Sequence, residues 1–186
     1  MDDSDLQRRL QEATKTKSLD LSSLRLTYSL PPAISQLKYL RSITLYKNLL
    51  ETIPAELFRF VLLEELNLFR NKLTTIPTNL SSLAHLKILN LGSNQLEILP
   101  PQLFKLSQLE ELDLSNNGIS VLPPDIKLLT RLRDLGLFRN KFKALPGEIA
   151  QLRQLKKLDV SQNQIVNMPS RLGELKLQTL STFRHL

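Results

Sequence analysis

The sequence predicts an α/β solenoid: a right-handed horseshoe with a parallel β-sheet on the concave face, short helical or 3-10 turns on the convex face and an N-terminal capping helix. A leucine recurs every 23 residues through six consecutive segments, and a fixed period in this range is typical of stacked structural repeats. Each leucine also opens the same order of apolar residues, asparagine and proline, so every segment is expected to fold into one repeated unit. The six leucines are Leu40, Leu63, Leu86, Leu109, Leu132 and Leu155.

Each position of this cassette has a physical role. Apolar residues two apart, such as Ile43 and Leu45, alternate as in a strand with one buried face. The asparagine that follows is placed where the chain turns inward, and its amide can pair with turn backbone groups. The next proline has a fixed φ that suits the first position of a short helical turn. The strands are predicted to centre near Ile43, Leu66, Leu89, Leu112, Leu135 and Leu158, and the asparagines are Asn48, Asn71, Asn94, Asn117, Asn140 and Asn163.

The beginning of the chain departs from the cassette. Residues 1–17 are predicted to form a capping helix, with Leu6, Leu10 and Ala13 on one face and acidic residues near its start that favour the helix dipole. A degenerate first repeat follows, with one extra residue before Pro31 and Leu24 in place of the asparagine. We therefore expect the helix to cover the first strand.

The repeats are expected to form one domain, residues 1–186. About seven repeats occupy residues 18–175, and residues 176–186 begin an eighth that stops at its turn. Because a bare strand edge invites pairing, this end predicts either a piece of a longer protein or an edge that a partner covers. Of the two, the piece of a longer protein is favoured.

The predicted concave face carries an aromatic residue followed by a basic residue four times. Exposed aromatic residues and arginines are enriched in interface hot spots, which favours a binding role over simple stacking on neighbouring side chains. Between the second and third pairs, Gly92 and Ser115 are expected to leave a shallow saddle, with Phe69 and Phe138 about 14 Å apart across it. The four pairs are Tyr46–Lys47, Phe69–Arg70, Phe138–Arg139 and Phe183–Arg184.

Acidic residues on the same face give it mixed charge. Glu111, Asp113, Asp134 and Asp159 are predicted to form an acidic middle, with Lys157 on a neighbouring strand. A surface of this kind suits a folded protein better than a polyanion. We therefore add Glu111, Asp113, Asp134 and Lys157 to the aromatic–basic pairs as candidate partner-binding residues.

The sequence contains no recognisable catalytic or metal-binding motif. The histidines, His85 and His185, lack a second ligand at metal spacing, and the five glycines form no phosphate-cradling loop. Adjacent carboxylates such as Glu110 and Glu111 are expected to be solvated charges. We expect neither catalytic residues nor a cofactor nor a metal.

Composition and charge suggest a cellular location and a possible partner. The chain has no cysteine and no apolar run of membrane-spanning length, which favours a cytoplasmic protein without membrane insertion. Residues 1–126 hold 13 Lys/Arg against 14 Asp/Glu, whereas residues 127–186 hold 12 against 4. This basic end is expected either to be a solvated surface or to attract something acidic.

The cassette L-x-x-L-x-L-x-x-N-x-L-x-x-L/I-P-x-x-L/I-x-x-L resembles that of the intracellular Ras-group leucine-rich repeat proteins, such as Ras suppressor proteins and their plant relatives, over residues 18–186. The resemblance implies a non-enzymatic cytoplasmic scaffold that binds a signalling protein, such as a small GTPase or a phosphatase, through its concave face. Two alternatives remain open: nucleic-acid binding through the aromatic–basic residues, and a pathogen effector that binds a host protein.

Overall fold

The computed structural model describes residues 3–182, in which eight short strands form one parallel sheet. Each strand is hydrogen-bonded to its neighbours in chain order, so the sheet grows by one strand with every repeat. The predicted solenoid with a parallel concave sheet is confirmed. The strands are β1 Ser18–Asp20, β2 Ser42–Thr44, β3 Glu65–Asn67, β4 Ile88–Asn90, β5 Glu111–Asp113, β6 Asp134–Gly136, β7 Lys157–Asp159 and β8 Thr179–Ser181.

The register of the sheet follows the apolar pattern of the sequence. The central residue of each strand aligns with that of the next, as Ile43 does with Leu66 and Leu66 with Leu89. These central residues are buried, and a slip by one residue would turn each of them to the solvent face. The predicted strand centres from Ile43 to Leu158 are therefore confirmed.

Five-residue 3-10 turns lie on the opposite, convex side. In each of them a backbone N–H donates to the carbonyl of the proline three residues earlier, as Leu57 does to Pro54 at 3.1 Å. Leu57 and Phe60 are buried and cover the outer side of the core. The proline stands one position before the turn rather than at its first position, because its carbonyl begins the hydrogen bonding. The turns span Pro32–Gln36, Ala55–Arg59, Thr78–Ser82, Pro101–Lys105, Pro124–Leu128, Gly147–Gln151 and Ser170–Glu174.

The N-terminal helix α1, Asp3–Thr16, closes the first end of the sheet. Leu6, Leu10 and Ala13 are buried against the core, and Leu19 of β1 is fully buried with them. Arg9 donates from Nη1 to the backbone carbonyl of Asp20 at 3.0 Å, which ties the helix to β1. The predicted cap over the first strand is confirmed.

A ladder of asparagine side chains joins consecutive repeats. The Asn117 amide donates from Nδ2 to the carbonyls of Leu91, at 3.1 Å, and Leu114, at 3.0 Å. Its Oδ1 accepts the backbone N–H of Leu96 at 2.9 Å. One side chain thus satisfies backbone groups of its own repeat and of the preceding repeat, which would otherwise be buried without partners.

The first repeat has no ladder asparagine of its own, and its turn pairs with the asparagine of the second repeat. Leu24 stands where the asparagine would be, yet the N–H groups of Leu24 and Leu26 both donate to Asn48 Oδ1, each at 3.0 Å. Because each ladder amide serves the repeat before it, the degenerate first repeat keeps its turn. Asn48, Asn71 and Asn140 are buried, and the other ladder asparagines are half-buried.

The last described strand, β8, lies where the sequence predicts the beginning of an eighth repeat. It pairs in parallel with β7, aligning Leu180 with Leu158. Leu180 is nevertheless 45% exposed, whereas Leu158 is fully buried beneath its neighbours. The central residue of β8 is therefore packed less completely than the central residues of β1 to β7.

The residue before each ladder asparagine from Asn48 onward has a left-handed backbone conformation. Asn116 has φ 54°, is half-buried, and donates from Nδ2 to Ser93 Oγ at 3.0 Å. From its place outside the ladder column, the sequence predicts that Asn116 is exposed and matters little for stability, and this prediction is wrong. Asparagine adopts this conformation more readily than most residues, although lysine, arginine, serine and glutamine hold it at the equivalent position of other repeats.

We expect Asn117→Ala to lower the free energy of unfolding by about 1–3 kcal/mol, because three backbone groups lose a buried partner. Urea denaturation of the two proteins measures this difference. Asn79→Ala, on the exposed surface of a convex turn, is the control and should change it by less than about 0.5 kcal/mol. Equal losses in the two variants would contradict the ladder's role.

Candidate protein-binding surface

The concave face presents the residues that alternate with the buried leucines. Leu45 and Leu68 point into the core with no exposed surface, so the residues after them, Tyr46 and Phe69, point out of it. Lys47 and Arg70 come next, with φ 55° and 56°, and are exposed. The left-handed turn returns the chain inward at the ladder asparagine, which leaves an aromatic–basic pair on the outer side of the turn.

Tyr46, Phe69 and Arg70 form one stacked cluster. The rings of Tyr46 and Phe69 are nearly parallel, at 9°, with centroids 6.0 Å apart. The Arg70 guanidinium lies 5.7 Å from the Phe69 centroid and donates from Nη1 to the Tyr46 hydroxyl at 3.3 Å. The stacking role that the sequence leaves open is therefore present at these two pairs, and it holds their side chains in place.

Phe138 and Arg139 lie three strands away and differ from that cluster. Phe138 is half-buried, and within residues 3–182 no other ring stacks on it. Arg139 is exposed, with φ 51°, and makes no ion pair with any residue in the same range. The predicted pair Phe183–Arg184 lies outside the described residues.

Two glycines shape the floor between the aromatic residues. A Cβ added at Gly92 would lie 2.8 Å from Asp113 Oδ2 and 2.9 Å from Phe69 Cδ2. A Cβ at Gly136 would lie 2.7 Å from Asp113 Oδ1 and 2.9 Å from Ser115 Oγ. Neither glycine has a positive φ, so their role is to make room for the Asp113 carboxylate and the Phe69 ring.

A depression of about 360 Å³ lies over β4 to β7. The predicted saddle is therefore displaced, because the edge of the Phe69 ring fills the space above Gly92. Acidic side chains dominate its lining, and Ile88 adds a half-buried apolar one. The side chains around it include Ile88, Asn90, Glu111, Asp113, Ser115, Asp134 and Asp159.

The acidic residues of this depression differ in their surroundings. Asp113 Oδ1 accepts the backbone N–H of Ser115 at 2.9 Å, which stabilises the turn after β5. Asp134 pairs with Lys157 Nζ at 3.2 Å, so the predicted lysine already has a carboxylate partner. Glu111 is exposed and has no such ion pair among the described residues.

The turn-stabilising role of the Asp113 column could have been recognised from the sequence. Asn67, Asn90, Asp113 and Asp159 each accept the N–H of the residue two positions later. Asparagine and aspartate commonly form such turns, and they recur here at one position of the cassette. These side chains therefore combine a structural role with their place on the concave face.

Within residues 3–182, no group of three or more His, Cys, Asp or Glu side chains is placed so that it could hold a metal ion. Over the same part of the chain, no helix is both long enough and apolar enough to cross a bilayer. The surface offers apolar rings, guanidinium groups and carboxylates, which suit recognition by contact and charge.

The family described as leucine rich repeat matches three overlapping stretches, residues 61–119, 84–142 and 107–165. Comparison with curated protein sequences gives no match.

Solved structures of the same architecture align over most of the chain. A leucine-rich repeat protein of Leptospira interrogans is 34% identical, with TM-score 0.82, over 90% of this chain and 49% of its own. A second structure is the ectodomain of the Arabidopsis thaliana receptor kinase GASSHO1/SCHENGEN3 in complex with Casparian strip integrity factor 2. It is 36% identical, with TM-score 0.78, and the alignment covers 90% of this chain and 21% of the ectodomain chain. A third is the ectodomain of the Arabidopsis receptor kinase HAESA in complex with an IDA peptide hormone. It is 29% identical, with TM-score 0.71, and the alignment covers 89% of this chain and 30% of the ectodomain chain. The chain spans half or less of the length of each.

We expect Gly136→Ala to destabilise the protein by about 1–3 kcal/mol, because the added methyl group meets Asp113 and Ser115. Gly147→Ala is the matched control, since a Cβ there meets nothing within 4 Å, and it should be neutral or stabilising by about 0.4–1 kcal/mol. Thermal unfolding followed by circular dichroism compares the two. A stable Gly136→Ala protein would show that the floor is not closely packed around Asp113.

Proposed function

The chain belongs to the leucine-rich repeat family, and from this premise we propose that it is a non-enzymatic interaction module that binds a signalling protein through its concave face. Proteins with this fold are typically protein–protein interaction modules. The two plant receptor ectodomains similar to the chain are each in complex with a protein or peptide ligand. A repeat solenoid provides an extended concave surface suited to such contacts.

The observation that carries the proposal is the difference between the two aromatic–basic groups. Tyr46, Phe69 and Arg70 are held by one another, whereas Phe138 and Arg139 have neither a stacked ring nor an ion pair within residues 3–182. Phe138 points away from the core, so its ring contributes little to the packing there. An aromatic ring beside an arginine is instead the combination that protein interfaces use as an anchor.

The charges of the face define the chemistry of the partner. Arg70 and Arg139 would pair with carboxylates of the partner, and Glu111 and Asp113 would receive a basic side chain in the depression between them. An apolar residue of the partner would contact Phe138. The resemblance of the cassette to the Ras-group proteins supports a cytoplasmic signalling protein, such as a small GTPase or a phosphatase, as the molecule that supplies these groups.

Nucleic acid is the less favoured partner. The Phe69 ring already contacts Tyr46 and Arg70, so less of it is open for a base to stack on. Glu111 and Asp134 lie on the same face and would repel the phosphates. These contacts favour a partner with both signs of charge.

We expect Phe138→Ala to weaken binding of a partner purified from the native cell by about 2 kcal/mol or more, the loss typical of an interface hot spot. Calorimetric titration of the purified partner measures this loss. The matched control is Phe58→Ala, which removes the same half-buried side chain from a convex turn and should leave the affinity unchanged. A partner released by the Phe58 change and retained by the Phe138 change would overturn the concave assignment.

Phe69→Ala tests the stacked cluster separately from the binding anchor. Because its ring contacts Tyr46, we expect this change to lower stability by about 0.5–1.5 kcal/mol beyond the loss of buried area. Phe138→Ala, which breaks no such pair, should cost less in the same urea titration. Equal stability losses would show that the Tyr46–Phe69 stack contributes little.

Arg139→Glu should slow association with the same partner, and the effect should shrink as salt screens the charges. Stopped-flow or surface-plasmon measurements at low and at physiological ionic strength provide the two association rates. Lys105→Glu, an equal change of charge on a convex turn, is the control. If both variants slowed association equally, the effect would reflect net charge rather than the position of Arg139.

A further inference from the structure

One side of the solenoid carries a column in which six consecutive repeats, the second to the seventh, each place one charged residue. It lies where the chain returns from a convex turn to the next strand. From Glu64 to Lys156, the backbone N–H of each column residue donates to the carbonyl of the previous one, with N–O distances of 2.7–2.8 Å. Successive side chains are therefore neighbours, about 4.8 Å apart. The column is Arg41, Glu64, Lys87, Glu110, Arg133 and Lys156.

The sign of the charge alternates along the first five positions. Glu64 pairs with Arg41 and, at 2.6 Å, with Lys87, and the Lys87 ammonium and the Arg41 guanidinium lower the pKa of that carboxyl. Arg133 Nη1 lies 3.4 Å from Glu110 Oε2. Opposite charges on neighbouring strands stabilise a sheet, and this part of the column is nearly neutral.

The alternation ends where Lys156 follows Arg133. Like charges on neighbouring strands repel each other, and additional cations surround this pair. Positions equivalent to Arg131 in earlier repeats hold Tyr39, Leu62, His85 and Gln108, none of which is a lysine or an arginine. We call the basic edge the set Arg131, Arg133, Arg153, Lys156 and Lys176.

Two carboxylates compensate the basic edge only in part. Glu110 pairs with Arg133, and Glu174 lies 3.4 Å from Arg153 while it also pairs with Arg171. Arg131, Lys156 and Lys176 have no ion pair within the described part of the chain. Lys156 is half-buried, and the other four residues of the basic edge are exposed.

We propose that the basic edge binds an acidic segment of a protein, an extended run of aspartate or glutamate residues. The excess of cations supplies the attraction, and the guanidiniums of Arg133 and Arg153 already hold carboxylates of this chain. The edge spans two strand spacings, about 10 Å, which three or four extended residues match. This surface lies beside the concave sheet and does not depend on the function proposed for that face.

Two features of the edge disfavour other polyanions. The segments that carry it, residues 129–135, 152–158 and 174–179, contain no aromatic residue on which the bases of a single-stranded nucleic acid could stack. Glu110 and Glu174 lie within the basic edge and would repel a continuous anionic surface such as a membrane or a duplex. A flexible acidic segment can place its carboxylates between them, on the unpaired cations.

The test measures binding of a fluorescein-labelled octaglutamate peptide by fluorescence anisotropy. The edge variant combines Arg131→Glu with Lys156→Glu, which breaks no ion pair of the described chain. The control variant combines Lys72→Glu with Lys105→Glu, two exposed positions elsewhere, and has the same net charge. At about 50 mM salt we expect the edge variant to bind at least about tenfold more weakly and the control to stay within about threefold of the parent.

The opposite results would overturn the proposal. Equal losses in the two variants would show that the peptide responds to net charge and not to the basic edge. Binding of phosphatidylserine vesicles or duplex DNA that the edge variant abolishes, without binding of octaglutamate, would assign the edge to another class of partner. Phe138→Ala should leave octaglutamate binding unchanged, so a failure here is distinguishable from a failure of the concave face. Circular dichroism verifies that every variant is folded.

Discussion

The structure depends on one constraint: the backbone groups of each inward turn need hydrogen-bond partners within the protein, because water cannot reach them. A buried backbone group without a partner costs about 1–3 kcal/mol, and every repeat contains such groups next to the leucine core. Asn117 satisfies three of them by joining Leu91 and Leu114 to Leu96. Because one side chain spans two repeats, it holds consecutive turns together. The first repeat keeps these bonds despite its extra residue, because that residue lies after Leu24 and Leu26, whose N–H groups donate to Asn48.

The same constraint creates the surface that we assign to binding. With the leucines and the ladder amides directed inward, the residue before each asparagine takes a left-handed conformation, as Arg70 and Arg139 do. These arginines and the aromatic residues before them contribute little to the core. Their identity can therefore vary from repeat to repeat while the fold stays the same. The residues of the concave face differ from repeat to repeat of this chain, whereas those of the scaffold beneath it recur.

The features that the sequence predicts belong mainly to the repeated scaffold. The strand centres and the ladder were predictable because they recur at one position of every repeat, and the capping helix was predictable because Leu6, Leu10 and Ala13 fall on one helical face. The stacking of Tyr46 on Phe69 was only one of two open alternatives, and the pairing of Lys157 with Asp134 was not foreseen. Both depend on side-chain torsions that repeat spacing does not determine. The left-handed backbone of Asn116 was missed because a pattern of residue types contains no φ angle.

The concave assignment is tested most directly by photo-crosslinking in the native cell, with p-benzoylphenylalanine incorporated at position 138 or, as a control, at position 58. Both positions hold a half-buried phenylalanine, one on the concave side and one on a convex turn. The account predicts that the photoreactive group at position 138 captures a specific partner and that the group at position 58 does not. Capture of that partner from position 58, with none from position 138, would contradict it.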